Sequence, residues 1–306
     1  MSAFNNPIFQ DETKAREFLE AQRWPDGPVC PFCGQLDRAK ALPATGALGA
    51  GWYHCPDCRK KFTVRVGTLY ERSHIPLHKW LYATHLLVSS KKGISAHQLS
   101  RSLGITYKSA WFMAHRIREG MAPAKNAGPL GGAGMIVEAD EMFIGKKPGK
   151  RKAPGAGGYG HKMAILSLVE RDGSVRSTPI ERASREHIRA VMDKAIDPAT
   201  RVFTDKANHY RFMPVSKHET VDHSKGEYAR GPVHTNTVEG VFSIFRRGMV
   251  GTYQHCGEQH LHRYLAEFDF RYSNRAKLGI NDEMRAAIAI KGIEGKRLTY
   301  RRTVEA

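Results

Sequence analysis

Met135-Ile-Val-Glu-Ala-Asp140 is an apolar run that closes on an acid, and it opens the half of the chain that decides the fold. Asp is a poor strand former, so a carboxylate ending a strand-like run needs a reason beyond local propensity. The pattern returns at Arg201-Val-Phe-Thr-Asp205. A third acid, Glu239, lies in Asn236-Thr-Val-Glu-Gly-Val-Phe-Ser-Ile-Phe-Arg246, where Val238, Val241, Phe242 and Phe245 keep helical spacing. Acids converging from separate elements offer hard oxygen ligands for Mg2+ or Mn2+, and two such ions about 3.5–4 Å apart suit phosphoryl transfer. Arg246 follows Glu239 by two helical turns and shares its face, within reach of a nucleic-acid phosphate, and Asn236 lies one turn before it. Taken singly, each acid also reads as an ordinary strand-end or helix-surface carboxylate. Glu138 alternates to the same side as Asp140 and Glu141 is adjacent, so the first position stays open.

Around these acids strands and helices alternate. Residues 145–160 form a Gly-rich basic loop carrying Lys146, Lys147, Lys150, Arg151 and Lys152, which reads either as a phosphate-tracking loop or as a solvated one. A buried-strand run at 163–169, a turn at 171–174 and a strand at 175–180 follow. Ser184 is placed to cap a helix through about residue 196. A weak strand is expected near 219–221, then helices near 235–249 and 258–275. The pattern is that of an α/β domain.

Two C-x-x-C knuckles, Cys30-Pro-Phe-Cys33 and Cys55-Pro-Asp-Cys58, are separated by 21 residues, close to the spacing of structural zinc sites. Each knuckle puts two thiolates on one turn, and together they close a tetrahedral four-thiolate site with no open position, so one zinc ion would hold structure rather than do chemistry. Redox chemistry is the other reading of the motif. Cys256 stands alone and reads as a buried thiol. Farther on, 94–103, Gly104-Ile105 and 106–118 read as helix, glycine turn, helix. In a helix-turn-helix the second helix enters the major groove by its first residues, here Thr106, Tyr107, Lys108 and Ser109, although an ordinary helical pair has the same punctuation.

The 306 residues carry 48 Lys+Arg against 30 Asp+Glu, a net charge of +18 that favours a polyanionic partner, nucleic acid before an anionic membrane surface. A 41% hydrophobic and 25% charged composition excludes a disordered chain or a fibre. No stretch approaches the roughly 18 apolar residues of a membrane span, and the first 22 residues lack the basic-then-apolar order of a secretory signal. A cytoplasmic protein, nucleoid-associated when on DNA, is expected.

The order of knuckles, helical pair and Asp…Asp…Glu closely resembles the bacterial insertion-sequence transposases of the ISXO-like, zinc-ribbon group. The match is carried by the two knuckles, by Val137-Glu-Ala-Asp-Glu-Met-Phe-Ile-Gly145, by Phe203-Thr-Asp-Lys-Ala-Asn-His-Tyr210 and by His234-Thr-Asn-Thr-Val-Glu-Gly-Val-Phe-Ser-Ile-Phe-Arg246. The resemblance implies a ribonuclease-H-like catalytic domain of order β-β-β-α-β-α, with Asp140, Asp205 and Glu239 as the catalytic, Mg2+-holding acids and Arg246 in register. Part of the group uses Asn in third place, which keeps Asn236 beside Glu239 as a candidate. It implies double-stranded DNA partners, namely terminal inverted repeats and target, and at least a homodimer on DNA. The expected layout is a helical lead-in and zinc ribbon over 1–72, a helix-turn-helix segment over 73–122, a linker over 123–134, the catalytic domain over 135–280, and a tail over 281–306 that is helical at first and basic at its end. A cellular nuclease on the same fold, or a DNA-binding regulator derived from a transposase, are the competing readings.

Overall fold

Asp11 starts the first helix: its carboxylate accepts the N–H of Lys14 at 2.7 Å and caps α1 (Glu12–Arg23). The computed structural model describes residues 5–45, 49–124, 126–151, 158–214 and 217–299, and the chain divides into two units. The first unit comprises residues 1–90, 94–121 and 282–306; the second comprises 91–93 and 122–281.

In the first unit α1 is followed by a small antiparallel sheet of β1 (Lys40–Ala41), β2 (Trp52–His54) and β3 (Lys61–Thr63), in that order. So small a sheet cannot bury a core of its own. Its apolar content is a cluster of Trp24, Tyr53 and Phe62, with ring centroids 5.3–5.8 Å apart. Three helices follow, α2 (Leu77–Ser89), α3 (Ala96–Leu103) and α4 (Tyr107–Met121). Ser95 caps α3 by accepting the N–H of Gln98 at 3.1 Å, and Gly104, at φ 58°, ends it in the left-handed conformation that a glycine adopts without strain.

The second unit is built on β4 (Ile136–Ile144), β5 (Met163–Glu170), β6 (Val175–Ile180), β7 (Arg201–Asp205) and β8 (His218–Val221), with helix α5 (Arg185–Ala195) between β6 and β7. The strand order is β6-β5-β4-β7-β8. The first three strands run antiparallel to one another, whereas β7 is parallel to both β4 and β8. A short hairpin, β9 (Ala229–Arg230) and β10 (Val233–His234), leads into α6 (Asn236–Gly248), and α7 (Leu261–Ser273) completes the unit. The order β-β-β-α-β with a later acid-bearing helix is the one the resemblance implied, with β8 and the β9–β10 hairpin inserted before that helix. Strand β5 is buried along its apolar run because both faces are covered: Ile165 and Val169 pack with Val238, Val241 and Phe245 of α6, while Leu166 and Leu168 pack with Ile188 and Met192 of α5. Asp269 of α7 accepts hydrogen bonds from the N–H and hydroxyl of Ser177 on β6, and burial lifts its carboxyl to about 6.

The chain then returns to the first unit, where α8 (Asp282–Lys291) packs on α2 and α4. A side chain on Gly292 would collide with the carbonyl of Gly120, so the end of this helix can lie against α4 only because that position has no Cβ. Among the described residues no helix is long and apolar enough to cross a membrane.

One contact ties α6 to the sheet. Glu138 of β4 is fully buried, and its carboxylate accepts the N–H groups of Thr237 and Val238 at 2.8 and 3.1 Å and the Thr237 hydroxyl at 2.7 Å. Thr235, at the N-cap position, makes no side-chain cap of its own, so a strand acid closes the helix instead. Arg171 compensates the buried charge at 2.8 Å and also donates to the carbonyls of Pro232 and His234. Glu138→Ala would leave the Arg171 charge without its partner and α6 uncapped. A loss of about 3 kcal/mol is expected in urea unfolding, with a smaller loss for Glu138→Gln, which keeps an acceptor oxygen. An Ala variant within about 1 kcal/mol of the native protein would show that this contact does not anchor α6.

Candidate active site and metal centre

The parallel register of β4 and β7 pairs Ile136 with Arg201, Val137 with Val202 and Glu138 with Phe203. Carried two residues further, it brings Asp140 level with Asp205 where the strands part, at the C-terminal end of β7. Ligands of open α/β sheets bind at such strand ends. Both acids are partly buried. The carboxyl of Asp140 is pushed up to about 8, first by burial and then by the charges of Glu141, Asp205 and Glu239. That of Asp205 is raised by burial and by Glu141, and is eased by the Ala207 N–H and by His209 and His223.

Glu239 stands on the exposed face of α6 and comes within electrostatic range of Asp140. Its Oε1 lies 3.2 Å from the Thr235 hydroxyl and 3.6 Å from His223 Nε2. Asn236 and Arg246 are exposed on the same helix, and the Arg246 guanidinium makes no hydrogen bond or ion pair among the described residues. Glu138, the other first-strand candidate, is occupied at the N-terminus of α6. The donor set left facing the site is a group of mutually repelling carboxylates, which is the chemistry a hard divalent ion relieves. Their oxygens are more widely spaced than the thiols of the knuckles. Among the described residues, only the four cysteines bring three or more ligand atoms within 4.8 Å of one another.

Several residues at this site have partners that the sequence does not assign to them. Glu141 points to the α5 side of the sheet, where it accepts the Tyr210 hydroxyl and meets His209 Nε2 at 3.1 Å, fixing the segment after Asp205 against β4. Burial works against protonation of His209, but the Glu141 hydrogen bond and the charges of Asp205 and Asp140 outweigh it and raise the imidazole. His209 and Tyr210 lie within the stretch quoted around Asp205, so the signal was present without an assigned role. His223 had no sequence signal.

The basic loop exposes Lys146, Lys150 and Arg151, whereas Lys147 donates to the Glu181 carbonyl; Lys152 lies outside the described residues. At the start of α4, Thr106, Tyr107 and Lys108 are exposed and Ser109 is half-buried. Thr106 and Ser109 bond each other at 3.0 Å, and Tyr107 stacks on His97 at 4.2 Å.

In the first unit Cys30 Sγ lies 3.6 Å from Cys58 Sγ, and Cys33 Sγ 3.6 Å from Cys55 Sγ. Four sulfurs around zinc at about 2.3 Å would be about 3.8 Å apart, so the donor set fits a structural zinc ion. Although burial opposes it, the N–H groups of Phe32 and Cys33 draw the Cys30 thiol below the ordinary thiol range. At Cys33 and Cys58 the Gln35 and Lys60 N–H groups are outweighed by burial and the neighbouring thiols, which raise both, a cost of gathering four thiols that a bound cation would relieve.

Residues 129–273 match the ISXO2-like transposase domain, and residues 10–61 match the transposase zinc-ribbon domain. The chain is also 28% identical to an uncharacterized protein in transposable element ISH50 of Halobacterium salinarum, over 86% of this chain and 91% of that protein. For the zinc site, metal analysis of the purified protein is expected to give one zinc per chain. Cys58→Ser should lower that content and destabilise the ribbon by several kcal/mol, read as an earlier thermal transition. An unchanged zinc content in that variant would contradict the assignment.

Proposed function

The chain belongs to the ISXO2-like, zinc-ribbon transposases of insertion sequences, and from that premise we propose that it binds the terminal inverted repeats of its element and catalyses Mg2+-dependent strand cleavage and strand transfer. The observation that carries this reading is the register that brings Asp140 level with Asp205, with Glu239 of α6 in electrostatic reach. Asp140, Asp205 and Glu239 would hold two Mg2+ or Mn2+ ions, with Asn236 as the other candidate for third place. When bound, such a pair activates water and stabilises the entering and leaving oxygens of phosphoryl transfer, so no covalent link to DNA is needed.

The chain's own groups position the substrate. Arg246, exposed two turns beyond Glu239, would hold a phosphate of the strand being cut. The loop residues Lys146, Lys150 and Arg151, with Lys152, would track the backbone outside the site. The glycine-separated pair α3 and α4 would act as a helix-turn-helix, with Thr106, Tyr107, Lys108 and Ser109 toward the major groove and the zinc ribbon beside it. Joining two element ends at one target calls for two copies of the chain in the working complex. Binding through so many phosphate contacts should weaken steeply with salt.

The test is cleavage of DNA carrying both flanks of the gene. With Mg2+ or Mn2+, the native protein should nick at fixed positions, and Asp140→Ala or Asp205→Ala should lower the rate about a thousandfold. Whichever of Glu239→Ala and Asn236→Ala loses more marks the third position. Cleavage surviving Asp205→Ala would overturn the assigned roles. Salt-sensitive binding without any cut would favour a regulator, and cutting without fixed ends a cellular nuclease.

A second measurement uses the raised carboxyl of Asp140. A proton held in the folded state up to about pH 8 stabilises it fully below the ordinary carboxyl value of 3.8, and that contribution declines as pH rises from there and is gone above about 8. A divalent ion needs the carboxylate, so Mg2+ or Mn2+ should raise the melting temperature more at pH 8 than at pH 6, and Asp140→Asn should remove the difference. Equal shifts at both pH values would place the ion elsewhere.

A further inference from the structure

The segment between β8 and β9 exposes Tyr228, at 65% the most exposed Phe, Tyr or Trp ring among the described residues. The loop presenting it is braced by its own hydrogen bonds. Asp222 accepts the N–H and hydroxyl of Ser224 at 3.2 and 2.5 Å, and Glu227 accepts the N–H of Asp222 at 3.1 Å. Gly226, at φ 74°, closes the turn, and Arg230 donates to the Thr220 carbonyl at 3.2 Å. An ordered loop that leaves its aromatic ring in solvent has not used that ring for its own packing.

The inner side of the ring leads to the acids. Its centroid lies 5.3 Å from that of His223, whose Nε2 is 3.3 Å from the Thr235 hydroxyl and 3.6 Å from Glu239 Oε1. His223 Nδ1 is buried with no hydrogen-bond partner among the described residues. Lys206, Lys225 and Arg230 are exposed along the same stretch, with Lys206 paired to Asp222 at 3.2 Å and Arg230 to Glu227 at 3.4 Å. The lip of the acid site thus combines cations for a phosphate backbone with one open aromatic face.

We propose that Tyr228 is a nucleobase-stacking residue, taking the face of an unpaired base next to the phosphate being cut, and that His223 is the positioning residue that holds the ring beside Glu239. The proposal deepens the reading of this site as a DNA-cutting centre and rests on it. If the nucleotide beside the phosphate being cut is drawn out of the duplex stack, its base loses its stacking neighbour. A fixed aromatic ring replaces that neighbour, and because every base has a π-face the contact tolerates any sequence.

The test needs no cleavage. Full-length protein, with no added divalent ion and no chelator so that the ribbon keeps its zinc, is titrated into a single strand of about 12 nucleotides with 2-aminopurine at its centre, and into the matching duplex. The native protein should quench the probe in the single strand. Tyr228→Ala should abolish quenching and weaken single-strand binding about tenfold, with duplex affinity and melting temperature unchanged, and Tyr228→Trp should restore both. His223→Ala should weaken the quenching, and His223→Phe, which keeps a ring against Tyr228, should recover it.

Native quenching and affinity in Tyr228→Ala would overturn the stacking role, and native quenching in His223→Ala would overturn the positioning role. Tyr228-dependent quenching by a protein that cuts no DNA would uphold the stacking and sink the cleavage reading. Cleavage that depends on Asp140 while Tyr228→Ala behaves as native would sink the stacking alone.

Discussion

Glu138 is a buried anion at the N-terminus of a helix, and the arrangement of the second unit depends on it. Its carboxylate satisfies backbone N–H groups of α6 that would otherwise be orphaned, its charge complements the helix dipole, and Arg171 neutralises it from the turn after β5. The same guanidinium reaches the carbonyls of β10 and the chain just before it, so one ion pair joins the central strand, the short hairpin and the helix. Asp140 lies two residues along β4 from this anchor and Glu239 one position into α6 beyond Val238. The two acids therefore inherit their relation from a contact that takes no part in the chemistry.

A second constraint acts in the first unit by different means. Its three-stranded sheet is too small to bury a core, and three aromatic rings together with four convergent thiols stand in for one. The sulfurs are already spaced for a tetrahedral ion, whereas the carboxylates of the second unit are not gathered so tightly. Thiolates on two rigid knuckles are set by local turns. The three acids come from two strands and a helix, and a cation or protons would relieve their mutual repulsion, as the raised carboxyl of Asp140 records.

Much of this was legible beforehand because it is written in local patterns. The knuckles announce themselves by spacing, β5 by an unbroken apolar run, and α6 by the period of Val238, Val241, Phe242 and Phe245. Strand β4 extends past Asp140 to Ile144, because β5 pairs with it over eight residues, a partnership no local window reveals. Strands β9 and β10 are two residues each and leave no periodicity to read. The choice between Glu138 and Asp140 was undecidable from alternation, since both face the same side; only the helix seated on Glu138 separates them. Glu141 looked redundant beside Asp140, and its bonds to His209 and Tyr210 span almost seventy residues. Residues 281–306 read as a tail that begins helical, but nothing in their composition shows that α8 packs on α2 and α4.

The burial of β5 on both faces has a consequence for the chain before it is folded. Met163-Ala-Ile-Leu-Ser-Leu-Val169 has no charge and no proline, and until β4, β6 and the helices on either side have assembled, both its faces and both its edges are open to any similar strand. Such segments nucleate intermolecular sheets. Lys162 immediately before the run, and Glu170 and Arg171 immediately after it, place charge at both ends, where stacking copies in register would set like charges against each other. Arg171 therefore serves twice: as a gatekeeper against self-association while the chain is open, and as the counter-ion of Glu138 once it has closed.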